Sequence, residues 1–178
     1  FGTSGSGKSQ FGKNEIAQIV LDRPDDDVII IDPEREYEPV VAAFKGSTAR
    51  IHAGSLDRVN PMDIDLDADT DDGDPILAKS NFVLAALDHL IGGQTGLNAQ
   101  QRSLADRVTV ALYRRYAAER GPMPTFLDLR DGLIATGDPV GAQMGAALEL
   151  YTVGSLNTFS QQTNVDTNAR LFSWDINQ

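Results

Sequence analysis

The octapeptide Gly2-Thr3-Ser4-Gly5-Ser6-Gly7-Lys8-Ser9 constrains this chain more than any other feature. It fills every fixed position of G-x-x-x-x-G-K-[ST], a pattern that belongs at a strand-to-helix turn, where glycines let successive N–H groups point inward at phosphate oxygens. The helix after it adds the positive end of its dipole, the Lys8 ammonium supplies charge to the β- and γ-phosphates, and the Ser9 hydroxyl is placed to ligate Mg²⁺. All eight residues are candidate ligands for a nucleotide, and Ser9 is the candidate metal ligand. The bland alternative is a Gly/Ser-rich linker. Phe1 stands directly before the loop, although a buried strand ordinarily feeds it, so the expectation is that this strand lies outside the chain or that the chain is a piece of a larger protein.

The residues after the loop fit a strand-loop-helix setting. Lys8 to Leu21 reads as a helix, with Ile16, Ile19 and Val20 at helical spacing and Pro24 as its stop. Val28-Ile29-Ile30-Ile31 is a β-branched run bounded by Asp, the pattern of a strand covered by helices on both faces. Glu38 to Phe44 suggests a short helix and Ala49 to His52 a short strand. The expected class is therefore α/β, a P-loop NTPase of the RecA-like parallel-sheet type.

The middle of the chain changes period. Asp63 to Asp74 holds seven Asp in DIDLDADTDDGD and reads as a solvated loop; a calcium site of the EF-hand kind would want Gly sixth and Glu twelfth, and counting from Asp67 those places hold Asp72 and Ala78. Ile76, Ser80, Val83, Leu84, Leu87, Leu90 and Ile91 then repeat at helical spacing up to Gly92-Gly93. Asn98 opens a second helix, with Gln101 as its capping-box partner and Leu104, Val108, Leu112 and Tyr116 along one face. Two shorter helices come next, near Thr125 to Ala135 and Pro139 to Tyr151, and Leu171 to Ile176 returns to a strand. The expected organisation is an N-terminal part of the α/β core at 1–74, an all-helical insertion at 75–152 and a return to the core at 153–178.

Composition narrows the partners. Fifteen Lys plus Arg against 26 Asp plus Glu give a net charge of -11, which repels a phosphate backbone and argues against direct DNA binding by this chain. There is no Cys, hence no disulfide framework or thiolate metal site, and the first residues lack a signal-peptide pattern, so the expected location is cytoplasmic. No stretch of eighteen apolar residues is present to span a bilayer, and any membrane association would run through partners.

A second chemical element is Ile31-Asp32-Pro33-Glu34-Arg35-Glu36-Tyr37. The carboxyl end of a parallel strand faces the ligand crevice, so Asp32 and Glu34 fall on the same edge as the P-loop and can approach Mg²⁺ or water. Asp32 is a candidate nucleotide-site residue; Lys8, Glu34 and Glu36 are the candidate catalytic residues. Of equal weight is a structural role for Asp32, capping the next turn. No later hydrophobic run ends in Asp-Glu, so nothing evident polarises an attacking water, and the expectation is a chain that binds nucleotide better than it hydrolyses it.

These residues resemble the secretion ATPases of conjugative type IV secretion systems, members of the HerA/FtsK-like class of P-loop motors. Four stretches carry the likeness: GTSGSGKS at Gly2 to Ser9, IDPEREY at Ile31 to Tyr37, NPMDI at Asn60 to Ile64, and the region from Gly154-Ser155-Leu156 through Thr163-Asn164-Val165-Asp166 to FSWDI. Their order and spacing match over nearly the whole chain. The resemblance implies ATP and Mg²⁺ as cofactors and a hexamer or similar ring of its own subunits. It also implies partners among the secretion-channel components at the inner membrane face, and a role in pilus assembly, protein export or DNA transfer. It transfers Lys8, Ser9 and the P-loop backbone; Asp32, Glu34 and Glu36 match the family's strand-end acidic motif. In that family the Walker B Asp-Glu and the arginine residues that act on a neighbour's nucleotide come downstream of the FSWDI-like strand, which here is expected past Gln178.

The remaining polar residues have plainer readings. His52 and His89 are too few and too far apart to suggest a metal site, and His89 reads as a cap at a helix end. Arg102, Arg107, Arg114 and Arg115 form a basic stripe that reads as a solvated face, or next as a subunit contact. Trp174 reads as core, and Gln161, Gln162 and Asn164 either sense a γ-phosphate or satisfy backbone groups. Two rival functions stay open: another P-loop NTPase, although no N-K-x-D is present to read guanine, and an assembly module of a secretion complex without nucleotide turnover.

Overall fold

The structure, a computed structural model, describes residues 7–52, 54–67 and 73–176, and of Lys8 only the backbone. Two compact units divide the chain: 1–58 with 164–178, and 59–163. The second is wider than the 75–152 insertion expected from helical periodicity. It takes in the Asn60 to Ile64 stretch and the segment after the last helix: Asn60 donates to the Pro124 carbonyl, Thr163 to Asp63, and Gln162 to the Met123 carbonyl.

In the sheet-bearing unit, α1 (Lys8–Asp22) leads to β1 (Val28–Asp32), α2 (Glu38–Ala43) and β2 (Ser47–Arg50), and β3 (Leu171–Asp175) returns late. The described strands form one parallel sheet in the order β1-β3-β2, so the strand last in sequence sits in the middle. Ile30, Val41 and Leu171 are its small core, joined by Ile16 and Val20 of α1, Val28, Tyr37 and Phe44. This covers one face of β1. On the other, Ile29 and Ile31 are 70% and 67% exposed. The expectation of two covered faces is met on one side only among the described residues, because α1 and α2 both send their apolar side chains to the Ile30 side. The second strand is Ser47–Arg50 rather than 49–52, its register set by pairing with Phe172 to Asp175.

The C-terminal end of α1 is held by Arg170, whose Nη2 donates to the carbonyls of Val20 and Arg23 and whose Nε donates to that of Asp26. A guanidinium there satisfies carbonyls that have no helical partner and opposes the negative end of the dipole.

The helical unit contains α3 (Pro75–Ile91), α4 (Ala99–Glu119), α5 (Phe126–Ala135), α6 (Pro139–Thr152) and a 3₁₀ turn at Asn157–Phe159. Each of the four helices carries a side-chain N-cap: Asp74, Asn98, Thr125 and Asp138, with full capping boxes at Asn98/Gln101 and Thr125/Asp128. Its core is continuous, from Met62 through Val83, Leu87, Leu104, Phe126 and Leu133 to Leu148. Polar ties are also closed. Tyr113, fully buried, donates its hydroxyl to the Met62 carbonyl at 2.9 Å, and Ser80 donates to Asp106 across α3 and α4 at 2.7 Å. Asp88 accepts from the Leu97 amide and pairs with Arg102; the amide bond first, then Arg102, holds its carboxyl below the usual range. No described helix is long and apolar enough to cross a membrane.

Candidate functional site

The site is assembled from the two ends of two elements in the sheet-bearing unit: the start of α1 and the finish of β1. Gly2, Thr3, Ser4, Gly5 and Ser6 lie outside the described residues. Gly7 is the N-cap of α1 with φ 77° and ψ 12°, a left-handed conformation that glycine adopts without a Cβ penalty. Among the described residues no side chain caps this helix, and no acidic residue stands in its first turn. Its leading amides therefore have no side-chain acceptor among the described residues, and Lys8 adds a full positive charge to the sequence here. Ser9, in the first turn, is partly buried. Left-handed Gly7, the helix-end amides and the Ser9 hydroxyl are groups of the chemistry that a triphosphate and its Mg²⁺ require, so the described part of the loop fits those groups.

Asp32, at the carboxyl end of β1, is 2% exposed. Its Oδ1 accepts the Glu36 amide at 3.1 Å and its Oδ2 accepts the Tyr37 amide at 2.9 Å. Both oxygens are thus engaged in closing the turn that leads into α2, which is the structural role weighed for this residue. Glu34 is exposed and Glu36 partly buried, and neither carboxylate has a partner among the described residues.

The 33–37 turn lies directly against α1. A Cβ built on Gly12 would come 2.8 Å from the Tyr37 hydroxyl, so glycine at this point lets the turn pack onto the second turn of the helix. The acidic turn and the N-terminal half of α1 are therefore neighbours.

Two residues at this edge were not singled out by sequence reasoning. Asp175 ends β3 in register with Asp32, and its carboxylate, almost fully buried, is ion-paired with Arg35, Oδ2 lying 2.6 Å from Nε. Arg35 itself has φ 56°, a left-handed conformation that costs a non-glycine residue about 1 kcal/mol. An arginine between two glutamates in a polar turn gives no sequence signal of either fact.

The other candidates fall elsewhere. Asn164 accepts the Arg58 amide on its side-chain oxygen at 2.7 Å and donates to the Leu56 carbonyl at 2.9 Å. Gln162 donates to the Met123 carbonyl at 2.6 Å in the helical unit. These two satisfy backbone groups, the plainer of their two readings. Gln161 and Gln162 also line a cavity of about 380 Å³ in that unit, with Leu112, Tyr116, Pro124 and Asp128. The cavity holds no P-loop residue. His89 is exposed in the last turn of α3, and Trp174 is partly buried, edge-on to Phe172 with ring centroids 5.1 Å apart. Asp65 and Asp67 are described, while 68–72 of the acidic loop lie outside the described residues. No group of three or more metal-ligating side chains occurs among the described residues.

No protein-family profile matches the chain, and no curated protein matches it in sequence. A solved structure does match in fold: VirB4 of Thermoanaerobacter pseudethanolicus superposes with a TM-score of 0.75 at 18% identity, over 98% of this chain and 48% of that one. The chain thus spans about half the length of the structure that it matches. It shares with that half a parallel α/β unit carrying a helical unit between its second and third described strands.

Proposed function

We propose that this chain is the ATP-binding part of a motor ATPase that energises type IV secretion of the conjugative kind. One observation carries the reading: the G-x-x-x-x-G-K-S octapeptide ends in a left-handed Gly7 and a helix whose N-terminus no described side chain caps, in a parallel α/β unit. The likeness to VirB4 in fold supports it over nearly the whole chain, and the four resembling sequence stretches support it independently.

In this reading the loop amides and the start of α1 bind the phosphates, Lys8 neutralises the β- and γ-oxygens, and the Ser9 hydroxyl holds Mg²⁺. The metal, when bound, withdraws charge from the phosphate oxygens. Asp32 fixes the turn that presents Glu34 and Glu36 to the same edge, where their unpartnered carboxylates can orient water. Hydrolysis by this chain alone is slow, for want of an Asp-Glu pair after a hydrophobic strand. The working unit is a ring of copies on the cytoplasmic side of the membrane, held there by channel components. Cargo contact lies elsewhere than on this acidic chain.

Titration of labelled ATP with Mg²⁺ into wild type and Lys8→Ala tests the assignment. Saturable binding in wild type that weakens by roughly a hundredfold or more in the variant is expected, since a full charge on two phosphates is removed. A preference for GTP overturns the ATPase assignment, and no binding by either protein favours the assembly-module reading.

A further inference from the structure

Two of the stretches singled out in the sequence, Asn60 to Ile64 and Thr163 to Asp166, are not used by the P-loop reading. They stand where the chain passes from one unit to the other, at 58–59 on the way out and at 163–164 on the way back. On the helical side, three residues close a ring of hydrogen bonds. The Asn60 amide donates to Thr163 Oγ1 at 2.8 Å, Thr163 Oγ1 donates to Asp63 Oδ2, and Asn60 Nδ2 donates to Asp63 Oδ1 at 2.9 Å. Asn60 is 2% exposed, and the rest of its side-chain capacity stays in the same unit: Nδ2 also donates to the Pro124 carbonyl at 2.9 Å, and Oδ1 accepts the Met62 amide at 3.0 Å. A carboxamide offers donors and an acceptor on one short side chain, which suits asparagine to this hub. The Met62 carbonyl in turn accepts from Tyr113, so the ring is anchored to α4.

On the sheet side, Asn164 makes the equivalent closure. Its amide donates to the Arg58 carbonyl at 3.1 Å, its Oδ1 accepts the Arg58 amide at 2.7 Å, and its Nδ2 donates to the Leu56 carbonyl at 2.9 Å. The bonds thus change sides between two adjacent residues: the Thr163 hydroxyl serves Asn60 and Asp63, and the Asn164 carboxamide serves Leu56 and Arg58. From this we infer that the two stretches are a pair of clasps, each closing one unit at its own base, so that the helical unit opens and re-forms as a body of its own while the return to β3 stays fixed. Each clasp is cooperative, because losing one member leaves its partly buried partners unsatisfied, and local opening stops at the crossing. The inference stands apart from the P-loop reading and concerns residues outside it.

Residue-resolved amide hydrogen exchange on the 178-residue chain tests it, in wild type, Thr163→Val and Asn164→Ala. Valine keeps the shape of the threonine side chain and removes the hydroxyl. The Asn60 amide is then expected to exchange roughly tenfold faster, the loss of about one hydrogen bond, while the Arg58 and Asn164 amides keep their rates. In Asn164→Ala the Arg58 amide is expected to quicken by a similar factor, while Asn60 and Met62 keep theirs. Thr163→Ser restores the hydroxyl and is expected to return Asn60 to the wild-type rate. Protection within α4 and β3 reports that each variant is folded. Wild type alone gives a second measurement: in rising denaturant, Asn60 and Met62 are expected to follow the helical core, and Arg58 and Asn164 to follow β3, with two distinct slopes. Acceleration of both sets by either substitution, an Asn60 amide untouched by Thr163→Val, or a single slope for all four amides overturns the inference.

Discussion

The two units solve the same problem, satisfying helix ends and burying apolar faces, to different degrees. In the helical unit every helix has its own side-chain cap, the core runs unbroken from Met62 to Leu148, and buried hydroxyls such as Tyr113 find acceptors. In the sheet-bearing unit no described side chain caps the start of α1, Ile29 and Ile31 face outward, and the cluster of Ile30, Val41 and Leu171 has only a partly buried fringe around it. In the proposed reading, the helix end beside the Gly-Lys-Ser step, which no described side chain caps, receives an anion, whereas the capped ends are settled by the chain itself.

The contrast is sharpest in stability. Leu87→Ala, at a fully buried position in the helical unit, is expected to cost about 2–5 kcal/mol in chemical denaturation, the transfer and cavity terms together. A loss no larger than that of a surface change would mean that the helical core is not closed. At the other end of the scale, Ile29→Ala in the sheet-bearing unit should change stability by no more than about 0.5 kcal/mol, since 70% of the side chain is already in water. A cost like that of Leu87 would show that this strand face is covered in solution, most simply by a second copy.

Much of the helical unit was legible in the sequence because its information is local. The Asn98/Gln101 capping box, the Asp74 and Asp138 caps before proline and the i, i+3, i+4 spacing of α3 and α4 each predict an observed bond or buried face. The sheet was legible only in part. Val28 to Ile31 shows itself by β-branching, but Ser-Thr-Ala-Arg at 47–50 has no strand pattern, and its place comes from pairing with a strand far away in sequence. The exposure of Ile29 and Ile31 could not be read from a continuous apolar run, which looks the same whether one face is covered or two. At the candidate site, Asp32 was legible as an acid at a strand end, and its burial under two amides agrees with a capping role at the Pro33 turn. The pairing of Arg35 with Asp175 was not, because it joins a turn residue to a strand that the helical unit separates from it in sequence.

The most direct test of the central claim is amide hydrogen exchange over α1 with and without Mg²⁺-ATP. If the open end of the helix receives phosphates, the amides of Lys8, Ser9 and Gln10, which have no helical acceptor, slow markedly on addition of nucleotide, while those of the capped first turns after Asn98 and Asp138 keep their rates. Unchanged exchange at Lys8 to Gln10 under saturating Mg²⁺-ATP would contradict the claim that this helix end is the phosphate site.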